Sequence, residues 1–396
     1  MTATVIGVDG TSLPAGADAA LAEAKLVVGA RRHLDAHAPS GARAVELGEL
    51  DSALDELTTA VGPAVVLASG DPGFFGIVRS LRERGVRPVV LPTVSSVQRL
   101  VAACGRPWDD VAVVSAHGRD LGPALNVCRA RRATVVLTAP GAGPAELAAG
   151  LDGWRRTLTV AEELGGENET LSTVDLTEGA QRTWREPNIV LCQEDPDSVP
   201  GKGWHAGGEP TPRDGGWALP EENFAHRDGM VTKTEVRALA LAKLAPRPGA
   251  LVWDVGAGSG AVAVECARLG AAAIAVERDP VQCVRIIANA SAHDVDVRVV
   301  EADLQDTVAD LPHPDAVFVG GGGEQAVRSC ARQEAGRIVV ALASLDRIGP
   351  ARQALQEFGY TVDGTQLSSA RLADLPDGTS RLDATNPITL IWGTKK

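Results

Sequence analysis

Residues 253–260 read Trp253-Asp-Val-Gly-Ala-Gly-Ser-Gly260, and Glu277 closes the next apolar run, Ala272–Val276. Leu251–Val255 is a short apolar stretch fit for a buried strand. The glycines that follow let the backbone turn tightly and approach a ligand closely. Ser259–Leu269 then reads as a helix whose N-terminus faces that ligand. Glu277 ends the second strand, at the depth where a carboxylate accepts both ribose hydroxyls. The stretch therefore predicts a nucleoside-type cofactor at the edge of a parallel sheet.

Spacing alone leaves the cofactor open. Gly256-x-Gly258-x-x-Ala261 also fits the dinucleotide fingerprint. Two details favour S-adenosylmethionine (SAM). Asp254 stands two residues before the first glycine, where it is expected to face a cationic ligand end and would repel a pyrophosphate. Gly260 comes one place early for a nicotinamide cofactor. NAD or FAD, and a purely structural glycine turn, remain the alternatives.

The chain has 396 residues, enough for two or three domains with their own cores. Hydrophobic content of 44% and charged content of 22% are ordinary for globular proteins. A net charge of −13 without a long Lys/Arg block argues against nucleic acid as partner. An anionic substrate would thus need a local basic pocket. The cysteines at 104, 128, 192, 266, 283 and 330 are scattered without a Cys-x-x-Cys, as expected of free thiols in a reducing cytoplasm rather than a metal site. His33 and His37 lack the intervening acid of a zinc helix, so no metal is expected. Met1–Gly7 has no basic stretch and runs straight into a strand, which predicts no signal peptide. No apolar run approaches the roughly 18 residues of a membrane span.

Strand-like runs alternate with helical ones from the start, the pattern of an α/β protein. Strands are expected at Thr4–Val8, Leu26–Gly29, Ala64–Ser69, Pro88–Leu91, Val111–Ser115, Thr134–Thr138, Thr157–Glu162 and Asn188–Cys192. Phe75–Arg84 and Val94–Ala103 read as helices. Residues 195–220 are rich in Pro, Gly and acids, with no apolar periodicity, and read as a linker between residues 1–194 and 221–396. Trp204 and Trp217 suggest that this linker packs against something. Thr232-x-x-Glu235 reads as a capping box opening a helix. Strand candidates follow at 250–255, 272–277, 296–301, 315–320, 337–342, 360–367 and 387–393. The last two suit an antiparallel terminal hairpin on a doubly wound sheet.

Other segments offer chemistry beside a plainer reading. Asp303 either meets an adenine amino group or caps a turn. Gly320–Gly323 gives an open floor for a bulky substrate or a simple βα loop. Thr232 and Lys233 would lie over the cofactor end of the sheet. Ser69-Gly70-Asp71-Pro72-Gly73-Phe74-Phe75-Gly76 follows a buried strand, and Thr93-Val94-Ser95-Ser96 either caps a helix or touches a ligand. In Ser115-Ala116-His117-Gly118-Arg119, a His and an Arg flank a glycine, which suits an anion or a proton transfer. No Gly-x-Ser-x-Gly elbow is present.

Taken in order, these segments resemble the bifunctional precorrin-6Y C5,15-methyltransferases (decarboxylating) of cobalamin biosynthesis, over nearly the whole chain. Ser69–Gly76, Val94–Gln98, Ser115–Arg119 and Glu163–Glu169 look like the tetrapyrrole methylase part, which methylates carbon 5. Leu219–Phe224, Val231–Arg237, Asp254–Gly260, Gly320–Gly323 and Asn386-Pro387 look like the class I methyltransferase part, which serves carbon 15 and the decarboxylation of an acetate.

The resemblance implies a two-lobed α/β N-terminal domain, a seven-stranded Rossmann-like C-terminal domain and two SAM sites. Thr232, Gly256, Ala257, Gly258, Ser259, Gly260, Glu277, Ala302 and Asp303 would hold one SAM. Gly70, Asp71, Pro72, Ser95 and Ser96 would help hold the other. Lys233, His117 and His226 are the candidates for proton delivery. Arg119, Arg227, Lys233 and Arg237 are expected to meet the carboxylates of the precorrin, with Gly321, Gly322 and Gly323 as its floor. A cytoplasmic homo-oligomer, dimer or tetramer, is expected. Two departures stand out: Asp9 sits among the glycines of the first loop, Gly7-Val-Asp-Gly10, and Glu324 follows the glycine run.

Overall fold

A computed structural model describes residues 2–10, 12–48, 50–201, 206–207, 216–227 and 231–395. Trp204 and twelve of the 26 residues of the expected linker, 202–205 and 208–215, lie outside these residues. Three main sheets organise the chain. The first contains β1 (Thr2–Val8), β2 (Leu26–Gly29), β3 (Arg43–Glu46), β4 (Ala64–Ser69) and β5 (Arg87–Leu91). It is wholly parallel, in the order β3-β2-β4-β1-β5. Val5, Val27, Val28 and Val66 are fully buried, as a sheet covered by helices on both faces requires.

The second sheet contains β6 (Ala112–Ser115), β7 (Ala133–Leu137), β8 (Thr157–Glu162), β9 (Thr170–Asp175) and β10 (Asn188–Gln193), in the order β6-β7-β10-β8-β9. Here β6 and β7 are parallel, and β10 runs against both β7 and β8. The carboxyl ends of β6, β7 and β8 thus share one edge. That edge meets the carboxyl edge of the first sheet: a Cβ added to Gly10 would lie 2.2 Å from the Gly165 carbonyl. The N-terminal half is therefore two lobes touching at their ligand-side edges.

The third sheet holds β11 (Leu251–Val255), β12 (Ala272–Glu277), β13 (Arg298–Glu301), β14 (Ala316–Val319), β15 (Arg337–Leu342), β16 (Thr361–Leu367) and, after the small pair β17 (Ala370–Asp374) and β18 (Ser380–Ala384), β19 (Ile388–Thr394). Its order is β13-β12-β11-β14-β15-β19-β16. The strands are parallel up to β15, and β19 is antiparallel to both β15 and β16. All seven expected strands are present. The order reverses between β11 and β14, so the crevice for a ligand opens there.

Several expectations shift. β3 and β9, which were not anticipated, are exposed edge strands of mixed polarity. The helix expected from Phe75 begins at Val78. The loop between the last two long strands is itself the hairpin β17–β18. Trp217 is half exposed, whereas Leu219 beside it is buried among residues of the C-terminal core. The chain from 216 onward thus packs with the C-terminal domain rather than linking to it.

The two halves meet away from their carboxyl edges. Trp154, in the turn before β8, packs with Leu251, Trp253 and Ile274. Asn126 Nδ2 donates to the Gly249 carbonyl at 3.1 Å. The buried Arg156 binds Asp296 at 2.9 Å, and Arg132 pairs with Asp294. Gly249 precedes β11, and Asp294 and Asp296 precede β13. These contacts therefore join the amino end of the third sheet to the amino end of the second.

Candidate active sites at two sheet edges

Strand β11 is buried over its whole length and delivers Gly256 to the switch point. Gly256 has φ +66°, and a Cβ there would strike the Gly321 backbone at 2.7 Å. The glycine turn and the Gly320–Gly323 run therefore abut, and Gly256 has no room for a side chain. Gly258, at φ +56°, has open space where its Cβ would lie. The turn thus leaves an open cradle at the carboxyl edge of β11. Glu277 Oε2 accepts from the Gly258 amide at 2.8 Å, which puts the carboxylate on the rim of that cradle. Its other oxygen takes the Arg278 and Asp279 amides. Ser259 is buried, and its carbonyl accepts from Asn289 Nδ2 at 2.8 Å, which locks the turn from behind.

The Ala302–Asp303 turn lies at the end of the neighbouring strand, with the Ala302 amide on the Glu277 carbonyl. Asp303 caps the next helical turn through the Gln305 amide. Asp254 does not face the cradle. It is 1% exposed, and Oδ2 accepts from the Ala263 amide at 2.9 Å, at the start of helix Ala261–Arg268. Burial and the like charge of Glu277 push its carboxyl up to about 7. The residue anchors that helix, and the Asp254 argument for a cationic ligand falls. The early Gly260, at φ +72° against Ile286, remains.

Helix Thr234–Leu244 runs down the sheet toward β11. Its last turn lies at the amino edge, where Arg337 donates to the Lys243 carbonyl. Its first turn, about 15 Å away, therefore stands at the cofactor edge. The expected Thr232–Glu235 capping box does not form: Lys233 is the N-cap and contributes no side-chain cap. Glu221 takes over, accepting the Thr234 amide at 3.2 Å and Lys233 Nζ at 3.0 Å, while Arg371 of the hairpin also binds it. Desolvation is the largest single influence and raises the Glu221 carboxyl, but the hydrogen bonds from Arg371, Lys233 and the Thr234 amide together outweigh it and hold the group down to about 2. Lys233 thus reaches the edge already paired. His226 is half buried and Arg227 exposed, just beyond Ala225, which Asn289 grips through both its amide and carbonyl.

Arg237 is not available to a substrate. It is fully buried, with Nε on Glu265 at 2.9 Å and further bonds to the Thr232 and Leu219 carbonyls. Glu265 in turn accepts the Ala218 and Leu219 amides, each at 2.7 Å. The pair straps the 216–224 segment onto the domain. Nothing in the local sequence separates such an arginine from a surface one; its partner lies on another helix.

In the N-terminal half, Gly70 and the Ser95–Ser96 turn come together: a Cβ on Gly70 would lie 3.5 Å from the Ser96 amide. Ser95 is buried and completes a capping box with Gln98. Asp71 accepts the Gly73 amide, and Pro72 is buried. Beside them, Ser69 Oγ meets His33 Nε2 at 2.8 Å and accepts from Arg32 at 2.9 Å. The sequence reading missed this pair. Asp9 explains its place among glycines: its side chain is buried, paired with Arg99 at 3.2 Å and bonded by Thr93 at 2.8 Å. It pins the first loop to the helix after β5. His117 and Arg119 are exposed on the loop after β6, at the lobe-facing edge. Glu324 pairs with Arg328 one helical turn on.

Among the described residues there is no cluster of metal-ligating side chains, the six cysteines are free and no helix is long and apolar enough to cross a membrane.

Residues 6–180 match the model of the tetrapyrrole (corrin/porphyrin) methylases, and residues 222–391 match the precorrin methyltransferase domain. A Sinorhizobium protein named precorrin-6Y C(5,15)-methyltransferase [decarboxylating] is 36% identical over 337 residues, 82% of this chain and 79% of its own length. The Mycobacterium tuberculosis protein of the same name is 38% identical over 66% of this chain and 64% of its own length. A Pyrobaculum calidifontis protein, named probable cobalt-precorrin-6B C(15)-methyltransferase (decarboxylating), is 37% identical over 39% of this chain and 84% of its own length. With two matched domains in one chain and a relative aligned over most of both lengths, the chain belongs to the family of precorrin-6Y C5,15-methyltransferases (decarboxylating).

Proposed function

We propose that the chain transfers two methyl groups to a precorrin and removes one acetate carboxylate, with residues 1–194 serving carbon 5 and 221–396 serving carbon 15 and the decarboxylation. The observation that carries this is the pair of glycine-lined, ligand-ready edges, one on each half. The stand-alone C(15) relative, which aligns with a stretch of the size of the C-terminal domain, supports the division of labour. SAM use comes with a methyltransferase family; two SAM sites in one chain are our reading.

SAM supplies an electrophilic methyl group with its own leaving group. In the C-terminal domain, Gly256, Ala257, Gly258, Ser259 and Gly260 would hold it by backbone contact, Glu277 by its ribose, and Thr232 and the Ala302–Asp303 turn at its flanks. In the N-terminal domain, Gly70, Asp71, Pro72, Ser95 and Ser96 would do so. The protein's task is then to hold the nucleophilic carbon in line and exclude water. Bridging carbons of a reduced tetrapyrrole are enamine-like and need no strong base. Loss of carbon dioxide breaks one C–C bond; its electron pair passes into the conjugated macrocycle, and a proton comes to the carbon that remains. Lys233 and His226 would deliver that proton in the C-terminal domain, and His117 is the candidate in the N-terminal one. Arg119, Arg227 and Lys233 would meet substrate carboxylates, with Gly321, Gly322 and Gly323 as floor. The work suits a soluble enzyme of the cytoplasm, in a homo-oligomer.

Calorimetric titration of S-adenosylhomocysteine into the full chain tests the reading. Two sites are expected in the wild type and one in Gly258→Arg, whose side chain fills the cradle. Incubation with precorrin-6Y and SAM should give a product heavier by two methyl groups and lighter by carbon dioxide. One site in the wild type, or a product with a single added methyl group, would overturn the two-domain assignment.

A further inference from the structure

We infer that Phe74 and Phe75 form an aromatic landing for the flat, conjugated face of the tetrapyrrole in the N-terminal domain. The inference rests on the reading that this domain methylates the macrocycle.

Phe74 and Phe75 are 38% and 47% exposed. Their rings meet edge to face, with centroids 4.9 Å apart at 75°. Phe75 has φ +52°. A bulky side chain is a rare occupant of that left-handed region, where Asn or Gly sits at ease. The core gains nothing from it, since the strained residue is held outward rather than inward. Backbone strain of this kind persists only where the surroundings impose it, and it gathers at ligand sites.

Here the surroundings do impose it. The Gly73 amide donates to Asp71 Oδ1 at 2.8 Å, and the Phe74 amide to the Asp71 carbonyl at 3.2 Å. A Cβ on Gly76 would lie 2.3 Å from the Pro72 carbonyl, so the loop closes tightly behind the two rings.

The loop also stands in the right place. It leaves β4, an interior strand of the first sheet, at the carboxyl edge, directly after Gly70–Pro72. Two exposed cations flank it in the chain and the fold: Arg32, whose Nη2 rests on Ser69 Oγ, and Arg79 on the first turn of the next helix. Apolar rings on a loop flanked by two arginines match a ligand that is flat and conjugated at its centre and carboxylated at its rim. Offset or edge-to-face contact takes the macrocycle, and charge-assisted hydrogen bonds take the carboxylates.

The test uses the full chain with Phe75→Asn and Phe74→Ala. Binding is read from the Soret band of uroporphyrin, an octacarboxylate porphyrin. Turnover is read as the apparent KM for each methyl transfer. Thermal melting and light scattering accompany both. Phe75→Asn should melt no lower than the wild type, because asparagine adopts the same backbone freely. Its Kd for uroporphyrin and its KM for the carbon-5 transfer should nonetheless rise about tenfold, the worth of one aromatic contact. Phe74→Ala should move both constants the same way. The carbon-15 transfer, made in the other domain, should keep its KM. Unchanged constants in both variants would overturn the inference. So would a fall in oligomeric mass in Phe75→Asn, which would show a second copy covering the rings. Should the wild type place no methyl group on carbon 5, the parent reading fails separately, and the uroporphyrin titration alone decides the landing.

Discussion

His33 lies beneath the Ser69 hydroxyl, buried in a helix that also carries Arg32 and His37. Burial first, and then the positive charges of Arg32 and His37, push its imidazole down to about 4. The unfolded chain keeps the usual histidine value of about 6.5. A base whose folded value is depressed favours the fold only while neutral. Its contribution is therefore complete above about pH 6.5 and is lost as the pH falls toward 4. The wild type should lose more stability between pH 7 and pH 4.5 than His33→Asn, which cannot take up that proton. Urea midpoints across that range check this; parallel curves would remove His33 from the acid sensitivity of the fold. Little of this was legible beforehand. His33 entered the sequence reading only as half of an incomplete zinc pair, because its partner Ser69 comes from a neighbouring strand 36 residues away.

Helices and strands were read well where one period dominates. The interior strands β11, β12, β14 and β15 follow from short apolar runs, since a strand buried on both faces has few other compositions open to it. β3 and β9 escaped because edge strands face water and carry charges there. The starts of helices were less legible, for a different reason. Helix Thr234–Leu244 has a capping-box sequence, yet Glu221, a dozen residues earlier, satisfies its first turn. The same long-range strapping converts Arg237 from an expected substrate contact into a buried tie between helices. Its ion pair with Glu265 has both side chains essentially free of solvent. Breaking one partner of such a pair strands the other charge, so Arg237→Ala should destabilise the C-terminal domain by about 3–5 kcal/mol. Replacing both residues with leucine or methionine should recover little of that loss, because the Ala218 and Leu219 amides and the Thr232 and Leu219 carbonyls then lose their partners. Denaturant unfolding measures both. A stable Arg237→Ala with only a raised substrate KM would restore the arginine to the binding surface.

At the scale of the whole chain, the order of motifs carried the family, and the way the sheets face one another was beyond it. Trp154, Asn126, Arg132 and Arg156 are unremarkable in sequence; only the fold brings them to Trp253, Gly249, Asp294 and Asp296. These contacts set the second and third sheets foot to foot. A molecule so assembled has its two mouths, the carboxyl edges of these sheets, on the sides away from that contact. A half-finished product must then let go of one protein surface and diffuse before it finds another. In the labelled reaction, a pool of unlabelled monomethylated precorrin added at the start should dilute the label in the final product in proportion to its concentration. Label that resists dilution would require a private route between the two mouths. Fusion of the two activities in one polypeptide, on this geometry, guarantees equal numbers of the two catalysts and leaves the traffic between them to the solvent.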